Sequence, residues 1–146
     1  MAAMTDFLEN KIIDWLIRGQ AYTPPTSLFF GLFTANPSDT GGGTEVAGGS
    51  YARVAVVSSL VNFAGTQAAA STIASSGSSG TTSNNGAVTF PAPTANWGVC
   101  TGFGIFDASS AGNLLFFAAL TVNKTVNNGD AAPSFAAAAM TLQIDN

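Results

Sequence analysis

Apolar residues recur at helical spacing in only one stretch of the chain. Leu8, Ile12, Trp15 and Leu16 fall three to four positions apart between Asp6 and Arg18, which places them on one helix face. Phe7 and Ile13 widen that arc. Asp6 stands at a capping position with Glu9 three residues on, and Asp14 precedes Arg18 by four, the favourable order for a helical ion pair. Gly19 fits the residue just past a helix end, and Pro24 and Pro25 stop any continuation. The pattern predicts one amphipathic α-helix over residues 5–19, which must bury its apolar arc on a sheet or on a neighbouring chain.

From residue 26 onward the pattern changes to short apolar or alternating runs separated by turn residues. Ser27 to Thr34 is nearly all apolar, as in a strand covered on both faces. Tyr51 to Ser58 alternates, with Tyr51, Arg53, Ala55 and Val57 expected on one side and Ala52, Val54 and Val56 on the other. Further strands are expected at Ala87 to Phe90, Val99 to Asp107, Leu114 to Leu120 and Phe135 to Ile144. Turn signals at Asn36 to Asp39, Ser109 to Asn113 and Asn127 to Asp130 punctuate them. The expected fold is an all-β sandwich, jelly-roll-like, over residues 26–146, with the single helix at its N-terminal end. The 146 residues fit one domain. Residues 64–86 are almost wholly Ala, Ser, Thr, Gly and Asn, with Ile73 the one large apolar side chain. Such a segment buries too little surface to order itself, and the expectation is a flexible loop or an arm ordered against neighbouring chains.

Charge alters this picture more than any motif does. The chain has 4 Lys+Arg, 8 Asp+Glu and no His, so that 8% of its residues are charged, against roughly 25% in an ordinary soluble domain. Four scattered cations give no basic stripe for phosphates, which argues against a nucleic-acid partner. Chemistry that depends on imidazole is excluded, and a single Cys100 excludes an intrachain disulfide or a multi-cysteine zinc site. The longest strictly apolar run, Leu114 to Leu120, is far shorter than a membrane-spanning helix needs. Met1 to Thr5 has no basic start to a secretory signal. The charges are also uneven: five of the twelve lie between Asp6 and Arg18, and none lies between Arg53 and Asp107. A neutral, hydroxyl-rich surface costs little to desolvate, so this block is expected to face partners in an assembly.

No short motif survives its context. Asp39-Thr40-Gly41 spells the aspartic-protease triplet, but it sits in a Gly-rich loop rather than between apolar strands. Gly102-Phe103-Gly104 lacks the third glycine and the helix of a dinucleotide site. Asp39, Glu45, Asp107 and Asp130 all fall near loops and offer oxygen ligands for calcium, though without the spacing of a known loop. Cys100 reads as a buried, inert thiol, and Ser and Thr have no His as base. The expectation is a non-enzyme without cofactor or metal. Arg18 and Arg53 stand out by rarity, since a guanidinium in so neutral a protein needs a carboxylate or carbonyl partner. With Phe7, Trp15, Tyr51, Ile73 and Trp97 they form the candidate interface set, aromatic and Arg residues being common contact anchors.

Several blocks carry a resemblance. Leu8-Glu9-Asn10-Lys11, Arg18 to Pro25, Gly41 to Val46, Gly49 to Val56, Phe90 to Gly98, Phe103 to Asp107 and Asn127 to Asp130 together resemble small tailed-bacteriophage virion proteins, often labelled tail fibre proteins. The resemblance covers nearly the whole chain and brings no catalytic residues with it. It implies a structural subunit of the virion, assembled in the cytoplasm of the bacterial host. With no shaft repeat and no coiled-coil heptads, the leading expectation is a capsid decoration or cement protein. Its expected partners are further copies of itself, as a homotrimer, and the major capsid protein or tail proteins. The alternative is a tail fibre or receptor-binding component, with Trp97 and Tyr51 meeting a host glycan.

Overall fold

The computed structural model describes residues 2–144; Met1, where the expected lack of a leader begins, and the final two residues lie outside the described residues. Eleven elements follow one another: β1 (Ala3–Met4), α1 (Asp6–Leu16), β2 (Ser27–Ala35), β3 (Thr44–Glu45), β4 (Val54–Val57), β5 (Thr81–Ser83), β6 (Val88–Thr89), β7 (Gly98–Phe106), β8 (Leu114–Val126), β9 (Ser134–Phe135) and β10 (Thr141–Gln143). The chain is thus mostly β, with one helix near the N-terminus and several antiparallel sheets, an arrangement consistent with the expected sandwich.

The main sheet runs β1-β8-β7-β2-β3, and β4 also pairs with β2. β2 therefore has neighbours on both edges. β7 takes one edge along Phe29 to Phe33, while β4 pairs with Ser27 to Phe30 and β3 with Phe33 and Ala35 on the other. Side chains alternate across this sheet. Phe30, Leu32, Phe103, Ile105 and Ala118 point into the main core, where Val88 of β6 and Leu142 of β10 meet them together with Phe90, Trp97 and Met140 from the adjoining loops. The opposite face carries Phe29, Gly31 and Phe33 beside Phe106, Gly104 and Gly102. The Phe33 and Phe106 rings stack there at 6.0 Å. Both faces of β2 are covered, which is why its sequence shows no alternation. Gly104 is required on that second face, because a Cβ would stand 2.6 Å from Leu114 Cδ1 and 2.7 Å from Phe33 Cε2.

The helix is shorter than the expected 5–19 and is anchored differently. Thr5 is the N-cap residue, but its hydroxyl makes no capping bond. It donates instead to the Leu114 carbonyl at 2.6 Å, pinning the helix start to β8. Leu8 is the buried helical residue. Trp15 and Leu16, expected on the buried arc, are 55% and 66% exposed, because only the first turns of α1 overlie the sheet. Gly19 does adopt the left-handed conformation, with φ 68°.

Two strand expectations need correction. The alternation assumed for Tyr51 to Ser58 fails at Tyr51, which packs on the core with Val54 and Val56, whereas Arg53 lies on Phe106, on the face of Phe29 that Ala55 opposes, as expected. Tyr51 precedes the strand, so its direction obeys loop geometry. The stretch from Phe135 to Ile144 is not one strand but β9 and β10, which pair with different partners on either side of Ala138 at φ 60°. Residues 64–86 fold back on themselves instead of extending as an arm. Thr66 Oγ1 donates to the Gly77 carbonyl and accepts from the Gly77 N–H, and Gln67 bonds Ser71, Ala74 and Ser76. Backbone polar groups in a segment with little apolar surface are satisfied by its own hydroxyl and amide side chains.

Candidate interaction surfaces

Between β3 and β4 the chain leaves the edge of β2 and returns, and this excursion assembles a polar cluster around the Glu45 carboxylate. The gap exposes the Leu32 backbone, whose N–H donates to the Tyr51 hydroxyl at 2.8 Å while its carbonyl accepts from the Val46 N–H at 2.9 Å. The Tyr51 hydroxyl in turn donates to Glu45 Oε1 at 2.9 Å. Arg53 grips the same carboxylate with two parallel bonds, Nε to Oε1 at 2.8 Å and Nη2 to Oε2 at 2.7 Å. Its Nη1 donates to the Ala108 and Ala111 carbonyls, both at 2.8 Å. The guanidinium also lies 3.3 Å from the Phe106 ring centroid, a cation–π contact. Arg53 thereby ties the β3–β4 excursion to the β7–β8 turn, with its side chain only 8% exposed. Burial raises the Tyr51 phenol above its ordinary range, and the Glu45 charge adds to that. The phenol stays protonated and remains a donor.

The sequence-derived candidates separate into three groups. Arg53, Tyr51 and Trp97 are inside the molecule. Trp97 is 5% exposed, gives its indole N–H to the Gly49 carbonyl at 2.9 Å and meets Tyr51 edge-on at 5.3 Å. These rings are core pieces, and the expected sugar platform of Trp97 and Tyr51 does not exist on the surface. Phe7 is half-buried and lines a polar cleft of about 390 Å³ with Phe33, Asp39, Glu45 and Phe106. Trp15, Arg18 and Ile73 are exposed; Arg18 holds Asp14 at 2.9 Å, as the spacing predicts.

Asp39 and Glu45 share that cleft, but Glu45 is committed to three donors. Asp107 accepts from the Asn113 backbone and side chain, both at 2.7 Å, and Asp130 accepts from the Asn127 N–H at 2.8 Å. Each of these acids shapes its own turn, and among the described residues no three acids or thiols gather in one place. Cys100 is buried, and that burial raises its thiol pKa.

Besides the exposed Val57, Leu60 and Val61, two apolar features of the surface bear on the candidate set. At the free end of α1, Ile13, Trp15, Leu16 and Ile17 are 50 to 75% exposed. Sequence reasoning assigned Ile13 and Leu16 to the buried arc and overlooked Ile17; helical periodicity reveals an apolar face but not how far the sheet beneath it reaches. The second feature is a cleft of about 270 Å³ between β8 and β9, lined by Leu32, Phe90, Cys100, Leu120, Val122 and Phe135 among others. A bulge opens it. Cys100 pairs with Lys124 and Gly102 with Ala119, so Thr101 alone stands opposite residues 120–123. Val122 at its lip is 79% exposed, and Lys124 is the one charged lining residue. No signal in Thr121 to Thr125 marks that opening in the sequence.

No helix among the described residues is long and apolar enough to cross a membrane. No curated protein matches the chain. The model of one protein family, podophage GP4 fiber I protein gp80, matches residues 3–143. The match spans β1 to β10 and so includes the Arg53 cluster, the free helix end and the bulged cleft. The chain belongs to this phage fibre family and is a structural component of the virion.

Proposed function

We propose that the chain is a non-enzymatic subunit of the fibre apparatus of the virion, which acts by docking to other structural chains. The family match carries this reading. The surface agrees with it: the helix presents four large apolar side chains to solvent, while Glu45 and Asp107 are engaged in structural bonds. Exposed apolar patches of this kind mark contact sites. Receptor binding through aromatic platforms loses its support, since Trp97 and Tyr51 are occupied in the core.

A second reading, a capsid decoration or cement protein that stabilises the head, is favoured by the compact sheet with no shaft repeat. Its partners would be copies of this chain, as a homotrimer, and the major capsid protein. Reconstruction of particles carrying a tagged chain separates the two. Tag density on the tail is the expected result, and density confined to the head lattice overturns the fibre assignment in favour of decoration.

A further inference from the structure

We propose that β1 and the first turns of α1 dock onto β8 of a second copy of this chain, each copy giving its N-terminal segment to its neighbour. The receiving surface is defined by the contacts the segment makes within one chain. Ala3 and Met4 pair with Phe117 and Phe116, and Ala2 bridges to Leu142. Thr5 donates its hydroxyl to the Leu114 carbonyl and its N–H to the Leu115 carbonyl, while the Asp6 N–H donates to the Asp39 carbonyl at 3.0 Å. Ala2, Thr5 and Leu8 are the buried residues of the segment. All of these strand and hydrogen-bond partners lie beyond Ala35, so the segment recognises the body of the fold and not the connection that tethers it.

That connection is weakly held. From Ile17 to Thr26 only Tyr22 and Pro25 are partly covered, and the peptide groups from Ala21 to Pro24 make no hydrogen bond among the described residues. Thr23 and Pro24 each precede a proline, which drives both toward extended backbone. Fully extended, residues 17–26 span about 33 Å, enough to cross to a neighbouring molecule. Exchange of an identical element keeps every contact that the element makes and is a low-cost route to an oligomer. It also adds contacts, because in a reciprocal pair the two connections run side by side at the symmetry axis. The side chains next to the connection are the ones a single chain leaves bare, Ile13, Trp15, Leu16 and Ile17 at 50 to 75% exposed. At the axis they meet their own counterparts and leave water. The occupant is a copy of this chain, since only a copy carries the segment that β8 receives. Passed round three copies, the same exchange gives the trimer that the sequence suggested. The inference rests on reading the chain as an assembling structural subunit, and it names the partner.

Ala3 and Phe117 stand directly opposite each other in register, a separation that a disulfide can bridge. The test oxidises the whole chain carrying Ala3→Cys and Phe117→Cys, with Cys100→Ala to remove the native thiol, after circular dichroism has checked that it folds. Exchange is expected to give chains joined covalently on a non-reducing gel, with the bond mapped to residues 3 and 117 by mass spectrometry. Sedimentation velocity of the unaltered chain keeps the test independent of the cysteines and is expected to show an oligomer. Leu16→Asp, at a position exposed in the single chain, should weaken that oligomer by roughly tenfold or more. Replacing Pro24 and Pro25 by Gly frees the connection to fold back and should shift the balance toward monomer by roughly tenfold. An unaltered chain that stays monomeric at high concentration, a disulfide that closes within single chains, or an oligomer indifferent to both substitutions overturns the proposal. The particle reconstruction reads location and this experiment reads exchange, so either reading can fail without the other.

Discussion

Replacing Arg53 by Met is the sharpest probe of how this fold is held together. Methionine keeps much of the side-chain volume but removes all five donors. Glu45 then keeps only the Tyr51 hydroxyl as a partner, and the Ala108 and Ala111 carbonyls lose theirs. Breaking a fully buried ion pair by removing one member costs about 3–5 kcal/mol. The Glu45 side chain is 26% exposed, so water compensates in part, and about 2–4 kcal/mol is the figure to expect. For a domain of this size that corresponds to a fall in Tm of roughly 10 °C. Urea and thermal denaturation measure it, with Arg18→Met as the internal control: that pair is exposed and should cost no more than about 0.5 kcal/mol. The double variant Glu45→Gln/Arg53→Met should recover part of the loss, because it leaves no uncompensated charge. If Arg53→Met costs less than about 1 kcal/mol, or no more than Arg18→Met, then Arg53 is not the tie between the excursion and the β7–β8 turn.

Other outcomes follow from neighbouring features. Tyr51→Phe removes the acceptor of the Leu32 N–H and one Glu45 donor, and denaturant titration should show a loss of about 1–3 kcal/mol. Burial raises both Tyr22 and Tyr51; a phenol with a raised folded pKa contributes fully below its unfolded value and loses that contribution as pH rises through the folded one. Stability should therefore be flat at neutral pH and decline above pH of about 10, with the tyrosinate absorbance of Tyr51 appearing only as the chain unfolds. Gly104→Ala drives a methyl group into Leu114 and Phe33 and should lower stability by about 1–3 kcal/mol in the same titration. Cys100, buried with a raised pKa, should resist a thiol reagent in the native protein and react fully in denaturant; fast native labelling would contradict its placement.

The main sheet was legible because its strands are long and bounded by strong turn chemistry. β2 and β7 lie close to where apolar runs between Gly, Asn and Asp clusters put them, while β8 starts as expected at Leu114 but continues past Leu120 to Val126, and Asp14 with Arg18 paired as their spacing required. What the sequence hid depends on tertiary reach. β3 lies in a Gly-rich stretch and β5 in a Ser/Thr stretch, where pairing with a partner strand, rather than propensity, decides. Tyr51 and Arg53 looked like one face of a strand, but the position of Tyr51 answers to a gap in the edge of β2 that exists only once β3 and β4 are both in place. Arg53 was singled out by rarity and expected to hold a carboxylate or carbonyl, yet the carbonyls of Ala108 and Ala111 could not be foreseen from a distance of 55 residues or more. The free helix end was obscured for the opposite reason: periodicity was right, and the support beneath it ended early.

The bulge in β8 has a consequence for what happens when copies of this chain are crowded together. On its outer side β8 is paired by β1 at Phe116 and Phe117 and held by Thr5 at Leu114 and Leu115, so from Ala118 onward it is, among the described residues, an open border of the sheet. A flat border of that kind invites any passing strand to add on, backbone to backbone, with little regard for sequence. Residues 120–123 break its regularity and Lys124 adds a charge to it, two devices that frustrate such zippering. Crowded copies are thereby denied the indiscriminate route to polymerisation. A contact made at this border must read side chains rather than backbone, and that confines it to one register.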